Sequence, residues 1–298
     1  MTPHPQLVAK LNRISAKKHF DAYADIAWDA PENGIDPRDP RWELGDEQPL
    51  GASQWYRALP AATRARLGLH FVASAMRVGV EFERVLKLGL LELVGALPPG
   101  APEQRYAYHE LIEEAQHALM FNEFLRRAQL AADLEIRSLP ARLEPIRARI
   151  PGSARWFPEL FFVFVLGGED PIDHAQRVAL AARRELHPLL RRIISIHVTE
   201  EARHVAFARS YLAEHVPRLS AARKRALVLL APVVLGIMAR MILTPRRHLQ
   251  REYGIPPELV TRDPRQRAHI VDSVRKVRDV LADLELVEPA LWRRCGVA

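Results

Sequence analysis

The residues of this chain best placed to do chemistry form a repeated pentapeptide, Glu113-Glu114-Ala115-Gln116-His117 and Glu200-Glu201-Ala202-Arg203-His204, the copies 87 residues apart. Side chains three positions apart share one face of a helix. Glu114 with His117, and Glu201 with His204, can therefore each present a carboxylate oxygen and an imidazole nitrogen to one metal ion. A single Glu-x-x-His carries little weight, because roughly one arises by chance in a chain of this composition when matches are counted. Alone, each would be a surface ion pair worth about 0.2–0.5 kcal/mol. Two copies, both inside Glu-Glu-Ala-x-His and both within long helical patterns, point to the two halves of a dinuclear carboxylate site.

Such a site asks for one further Glu from each of two other helices. Glu169 follows the apolar run FFVFVLGG and stands 32 residues before Glu201. Upstream of Glu114, Glu81 and Glu83 compete. The helical column of Glu83 holds Val72, Met76, Gly79, Lys87, Leu90 and Val94, whereas that of Glu81 holds His70, Ser74, Arg77, Val85, Leu88 and Glu92. The Glu83 column is the more apolar, hence the more buried, and Glu83 is the choice. His197 lies four residues before Glu201 and seven before His204, on the same stripe, where it offers a third imidazole. Glu110 holds the equivalent place in the first repeat, as a supporting group or occasional ligand, with Tyr106, Tyr108 and His109 nearby as structural or pocket residues.

Four carboxylates balance the charge of two ferrous ions, and a buried site requires such compensation. The imidazoles need acceptors or carbonyls for their second N–H, with Asp170, Asp173 and Arg203 as candidates for the surrounding polar contacts. Carboxylate and imidazole ligation without thiolate suits iron, or manganese in its place, better than copper or zinc.

The elements that must position these groups are helices. Apolar residues recur at helical spacing from Pro60 to Leu97, where Pro98-Pro99-Gly100 stops the run, and a second long helix runs from Pro102 to about Leu130. A short helix is expected near 141–149. The third long helix carries Glu169 and is expected to be interrupted at Gly167-Gly168 and Pro171. The fourth runs from Pro188 to about His215, and segments 218–245 and 264–284 supply two more. No stretch shows paired strands. The fold expected is all-α, a ferritin-like four-helix bundle core with additional helices, in one domain over 1–298. Residues 1–50 form an arm, 60–215 the four-helix core and 216–298 the C-terminal helices.

The 298 residues, 48% hydrophobic and 27% charged, exclude a disordered chain. One cysteine, Cys295, excludes an internal disulfide or a cysteine-held iron–sulfur cluster and favours the cytoplasm. The net charge of +7 comes from arginines spread along the chain, which argues for a solvated basic surface and against a nucleic-acid partner. The longest uncharged run, Ala226 to Ala239, has 14 residues and contains Pro232. It is shorter than the roughly 20 residues of a membrane span and reads as a helix buried inside the protein.

The stretches EFERVLKLGLLE, RYAYHELIEEAQHALMF, FPELFFVFVLGGEDPIDHAQR and IHVTEEARHVAFAR, within residues 81–209, resemble the di-iron p-aminobenzoate N-oxygenases of the ferritin-like class. The resemblance implies a ligand set of Glu83, Glu114, His117, Glu169, His197, Glu201 and His204 around two iron ions. His197 is the feature that sets this family apart from ferritins. It further implies a diferrous site that binds O2, forms a peroxo diferric species and oxygenates a small-molecule amine to hydroxylamine and nitro products. Alternatives on the same scaffold are a ferroxidase and a di-iron hydroxylase acting on carbon. With one cysteine and no nucleotide-binding glycine motif, electrons must come from outside, from a ferredoxin or a reductase. A homodimer is the candidate assembly.

Overall fold

Proline punctuates this chain. Pro102, Pro158 and Pro188 each open a long helix at its first position, where the missing N–H is one the helix leaves unbonded anyway. Pro98 stops another, because the residue before a proline is pushed out of the helical region, and Leu97 is extended. The computed structural model describes residues 3–129 and 144–298, and no strand occurs among them.

The N-terminal arm carries α1 (His4–Lys17), and the short α2 (Gln54–Arg57) follows it. The core follows as α3 (Ala61–Ala96), α4 (Pro102–Arg127), α5 (Glu144–Trp156), α6 (Pro158–Ala181) and α7 (Pro188–His215). The chain closes with α8 (Ala221–Leu243), α9 (Arg247–Tyr253), α10 (Pro257–Thr261), α11 (Pro264–Ser273), α12 (Arg275–Asp283) and α13 (Pro289–Cys295). Helices α3, α4, α6 and α7 form the ferritin-like four-helix core. The short links α3–α4 and α6–α7 make each pair antiparallel neighbours.

Two apolar clusters fill this core, one toward each end. In α4 the residues Tyr106 and Ala107 belong to one cluster, and Met120, Phe121, Phe124 and Leu125 to the other; in α7 Ile193 and Ile196 belong to the second and Val205, Phe207 and Leu212 to the first. Between them, on both helices, lies a buried layer of acids and histidines: Glu110 to His117 and His197 to His204.

Four expectations need correction. Helix α6 runs unbroken through Gly167, Gly168 and Pro171. The two glycines make room for neighbours: a Cβ on Gly168 would run into the Phe82 ring, and one on Gly167 would press on Leu235 of α8. The helix expected at 141–149 is α5; residues 141–143, like Leu130 at the expected end of α4, lie outside the described residues. The segment 264–284 is two helices, with Val274 between them. Finally, α8 is buried on one face only. Leu227, Ala231, Leu235 and Ala239 face inward, while Leu229, Leu230, Val233 and Ile237 are exposed. Together with α9, the stretch Ala221–Tyr253 is long and apolar enough by composition to cross a membrane; its most apolar 18-residue window has mean hydropathy 2.4, yet 44% of that window is buried against the protein.

Packing around the glycines of α3 gives a stability test. At Gly89 a Cβ would run into the Phe161 ring, whereas at Gly95 it would meet nothing within 4 Å. Gly89→Ala should destabilise the protein by about 1–3 kcal/mol through overpacking. Gly95→Ala should leave stability unchanged or raise it by up to about 1 kcal/mol, from the helix preference for alanine. Denaturant unfolding of the two variants checks the opposite signs.

Candidate metal centre

The site grows out of helical spacing. Helix α4 turns Glu110, Glu114 and His117 inward, α7 turns His197, Glu201 and His204 inward, and α3 and α6 add Glu83 and Glu169; all eight side chains are buried. The seven residues expected from the sequence thus meet in one place, and Glu110 joins them. Glu81, the rejected alternative, pairs with Arg84 on the outer side of α3.

Glu114 and Glu201 occupy the middle. Glu114 places Oε2 3.2 Å from His117 Nδ1 and Oε1 2.9 Å from His204 Nδ1, while Glu201 places Oε1 and Oε2 each 3.2 Å from the same two nitrogens. Each carboxylate therefore faces both imidazoles, which defines two positions, each flanked by one imidazole and two carboxylate oxygens. On the His117 side, Glu83 Oε1 lies 3.9 Å from His117 Nδ1. His197 Nε2 lies 3.8 Å from Glu83 Oε1 and 3.7 Å from Glu201 Oε1. On the His204 side, Glu110 comes within ligand-sharing distance of Glu114 and His204, whereas Glu169 does so with His197 and Glu201, on the side of His117.

The far nitrogens of the imidazoles are tied in a reciprocal way. His117 Nε2–H donates to Glu200 Oε2 at 3.0 Å, and His204 Nε2–H donates to Glu113 Oε2 at 2.8 Å. A carboxylate accepts here, so Nε2 carries a proton, and Nδ1, which faces Glu114 and Glu201, is the nitrogen that would be free to bind a metal. Arg203 joins the two supports, with Nη2 2.8 Å from Glu113 and 3.3 Å from Glu200. The arm completes the arrangement, since the backbone N–H of Phe20 donates to Glu200 Oε1 at 3.1 Å. His197 is held differently: its Nδ1–H donates to Gln176 Oε1 at 3.0 Å.

The sequence reading picked Arg203 correctly but missed Glu113 and Glu200, and the signal was the first Glu of each Glu-Glu doublet. Asp170 and Asp173 do not serve the imidazoles. Asp170 pairs with Arg209, and Asp173 with Arg177 and Lys276. Tyr106 is fully buried against Phe207, and Tyr108 is on the surface.

The electrostatics show what the cluster lacks. Seven buried carboxylates, Glu83, Glu110, Glu113, Glu114, Glu169, Glu200 and Glu201, exceed the four of the sequence-based charge balance. Arg203 is the buried cation among them, with Lys87 half-buried at the edge, its Nζ on the Glu114 carbonyl at 3.0 Å. Burial, then the Glu114 charge, pushes Glu83 well above the ordinary carboxyl range, and burial, then Glu201, does the same to Glu169. Glu110 is pushed by burial up to about 8. Burial lowers His197 to about 4, so this imidazole is neutral at pH 7. For His117 burial works the other way from the hydrogen bonds to Glu114, Glu200 and Glu201, which win and raise it well above its ordinary value.

Neither oxygen of Glu169 or of Glu110 has a hydrogen-bond partner, nor do Glu83 Oε2 and His197 Nε2. Buried polar atoms without partners are rare and call for an explanation. Nitrogen and carboxylate lone pairs 2.9–3.2 Å apart repel unless a proton or a cation lies between them. That spacing also matches neighbouring ligands on one ion, since two bonds of about 2.1 Å at a right angle put the donors about 3.0 Å apart. The residues present fit two metal ions.

Residues 2–285 match the model of the family described as p-aminobenzoate N-oxygenase AurF, and the chain belongs to that family. The family is one of di-iron oxygenases. The chain is also 35% identical, over 299 residues, to uncharacterized proteins of Mycobacterium tuberculosis (strains CDC 1551 / Oshkosh and H37Rv) and of Mycobacterium bovis. Each match covers 98% of this chain and 87% of the relative.

The imidazole supports yield a prediction. Glu113→Ala and Glu200→Ala should each weaken metal binding about 10- to 100-fold, the usual cost of losing a group that orients a ligating histidine. Titration against a metal-binding competitor measures this, with the helical circular-dichroism signal as the control for folding. An affinity within twofold of wild type would remove both residues from the site.

Proposed function

We propose that this chain is a non-haem di-iron oxygenase that transfers one oxygen atom from O2 to the nitrogen of a weakly basic, arylamine-type substrate. Glu83, Glu114, His117, Glu169, His197, Glu201 and His204 are its metal ligands. The observation that carries the reading is the placement of Glu114 and Glu201, each with one oxygen toward His117 and the other toward His204. Iron, with manganese as the substitute, would relay electrons to O2 and supply the Lewis acidity that its reduction requires.

The protein's residues have distinct tasks. Glu114 and Glu201 would hold both ions, Glu83 and Glu169, with Glu110 beside them, would close the two positions on the outside, and Glu113, Glu200 and Gln176 orient the imidazoles. Complete burial excludes water from the reacting centre. The reaction balances as amine plus O2 plus two electrons and two protons, giving hydroxylamine and water. Cys295 is the single cysteine, so the electrons come from a separate ferredoxin or reductase. An apolar cleft comes up to Gln176 and Phe121, the residues that contact His197. A ferroxidase has no use for such a cleft, which favours an organic substrate.

Protein reconstituted with iron, supplied with a chemical reductant and a panel of arylamines under 18O2, should hold about two irons per chain. It should release hydroxylamine carrying one labelled oxygen. In Glu114→Ala and Glu201→Ala this product should vanish while the helical signal stays, because a ligand on a bundle scaffold serves the metal more than the fold. Labelled product hydroxylated at carbon would establish the hydroxylase alternative. Oxygen consumption driven by iron alone, with no labelled organic product, would establish the ferroxidase.

A further inference from the structure

The cleft beside the metal centre has a definite direction. Along α3 it is lined by Val72, Met76 and Gly79, the column that ends one turn later at Glu83. Along α6 it is lined by Ala175, Gln176 and Ala179, beyond Glu169. It therefore runs from the glutamate cluster toward the start of α3 and the end of α6. The α3 lining runs from Val72 to Gly79, which makes this stretch of the channel about 10 Å long at 1.5 Å per residue. Its inner end touches the centre at Gln176, which holds His197, and at Phe121, whose ring lies 5.2 Å from that of His197 and 6.5 Å from that of His117. Gly79 permits the approach, since a Cβ there would come within 3.1 Å of the Phe121 ring.

The lining is almost wholly apolar. Of its seventeen residues only Gln48, Gln176 and Arg184 have polar side chains, and no acid is among them. Arg184, the one cation of the lining, donates from Nε to Glu47 Oε1 at 2.8 Å, so its charge is matched before any ligand arrives. A carboxylate entering this cleft would lose its hydration and find no unmatched positive charge, and a buried ion without a partner is costly. An alkylammonium would fare no better, because no carboxylate lines the channel to receive it. What fits is uncharged at neutral pH, apolar along its length, and long enough to reach from Arg184 to Gln176.

We infer that the cleft selects a neutral, elongated, apolar amine whose nitrogen is too weakly basic to be protonated, and that the Arg184–Glu47 pair excludes substrates bearing a carboxylate. The inference rests on the oxygenase reading for its chemistry but not for its binding test. The probes are 4-butylaniline, neutral at pH 7.5, and 4-aminobenzoate, anionic at that pH. Calorimetric titration of the iron-loaded full chain should show 4-butylaniline binding at one site per chain, at least about 10-fold tighter than 4-aminobenzoate, as the dehydration cost of the carboxylate requires.

Glu47→Gln, which frees the Arg184 charge, should narrow that gap by strengthening 4-aminobenzoate alone. Ala75→Trp, which fills the channel, should abolish 4-butylaniline binding. The wild-type comparison decides the question even where a variant fails to fold. Equal or tighter binding of 4-aminobenzoate by wild type, no binding of either probe, or a gap unchanged in folded Glu47→Gln would overturn the inference. Binding as expected without labelled product in the 18O2 assay would leave the cleft's selectivity standing and sink the oxygenation reading instead.

Discussion

The structure depends on the exchange of hydrogen bonds between α4 and α7. Each helix supplies an imidazole to the centre and a carboxylate to the other helix's imidazole: His117 to Glu200, and His204 to Glu113. The exchange works only if both helices hold the register that puts residue 117 opposite 200 and residue 204 opposite 113. A buried charged pair broken on one side costs about 3–5 kcal/mol, so a slip of one turn would strand four charged groups in the core. Arg203, bonded to both Glu113 and Glu200, ties the two halves into one network.

The apolar packing is arranged around that layer. One cluster lies on each side of it, so the acids and histidines are sealed from solvent at both ends by Phe, Leu and Ile side chains. The glycines serve the same purpose. Gly168 lets Phe82 of α3 lie against α6, one residue from Glu83 and one from Glu169, which brings those two acids toward the same centre. The arm is part of the seal as well. Besides the Phe20 N–H on Glu200, the Ala22 N–H donates to Gln116 Oε1 at 2.9 Å, so the arm is anchored to the first Glu-Glu-Ala-x-His segment and to the second.

How much of this was legible in the sequence follows from where each partner lies. Glu114–His117, Glu201–His204 and His197–Glu201 are contacts within one helix, and their spacing announces them. Glu83 needed only a comparison of two helical columns. Glu113 and Glu200 were opaque because their partners sit on another helix, and a column analysis of either helix alone ranks them as ordinary polar neighbours. Gly167-Gly168 misled for a related reason: glycine lowers helix propensity locally, but Phe82 and Leu235 are tertiary neighbours that make its small size an advantage, and packing prevailed. The exposed face of α8 was hidden because a uniformly apolar helix carries no periodicity from which to tell an outer side from an inner one.

The two repeats are alike in what they bridge and unlike in what they add. Position 197 in the second corresponds to position 110 in the first, so one repeat reads His-x-x-x-Glu and the other Glu-x-x-x-Glu. The structure places the extra imidazole of His197 beside Glu83 on the His117 side, and the extra carboxylate of Glu110 on the His204 side. The two positions are therefore unequal in composition, with two imidazoles, Glu83 and Glu169 on the His117 side and one imidazole and Glu110 on the His204 side. The cleft meets the centre on that same side, through Phe121 and Gln176. On the proposed reading, an uncharged amine arriving there would pass the Phe121 ring and the Gln176 amide that holds His197. The second imidazole contributed by α7 and the apolar lining contributed by α3 and α6 thus lie on one side of the centre, the side from which the proposed substrate would approach.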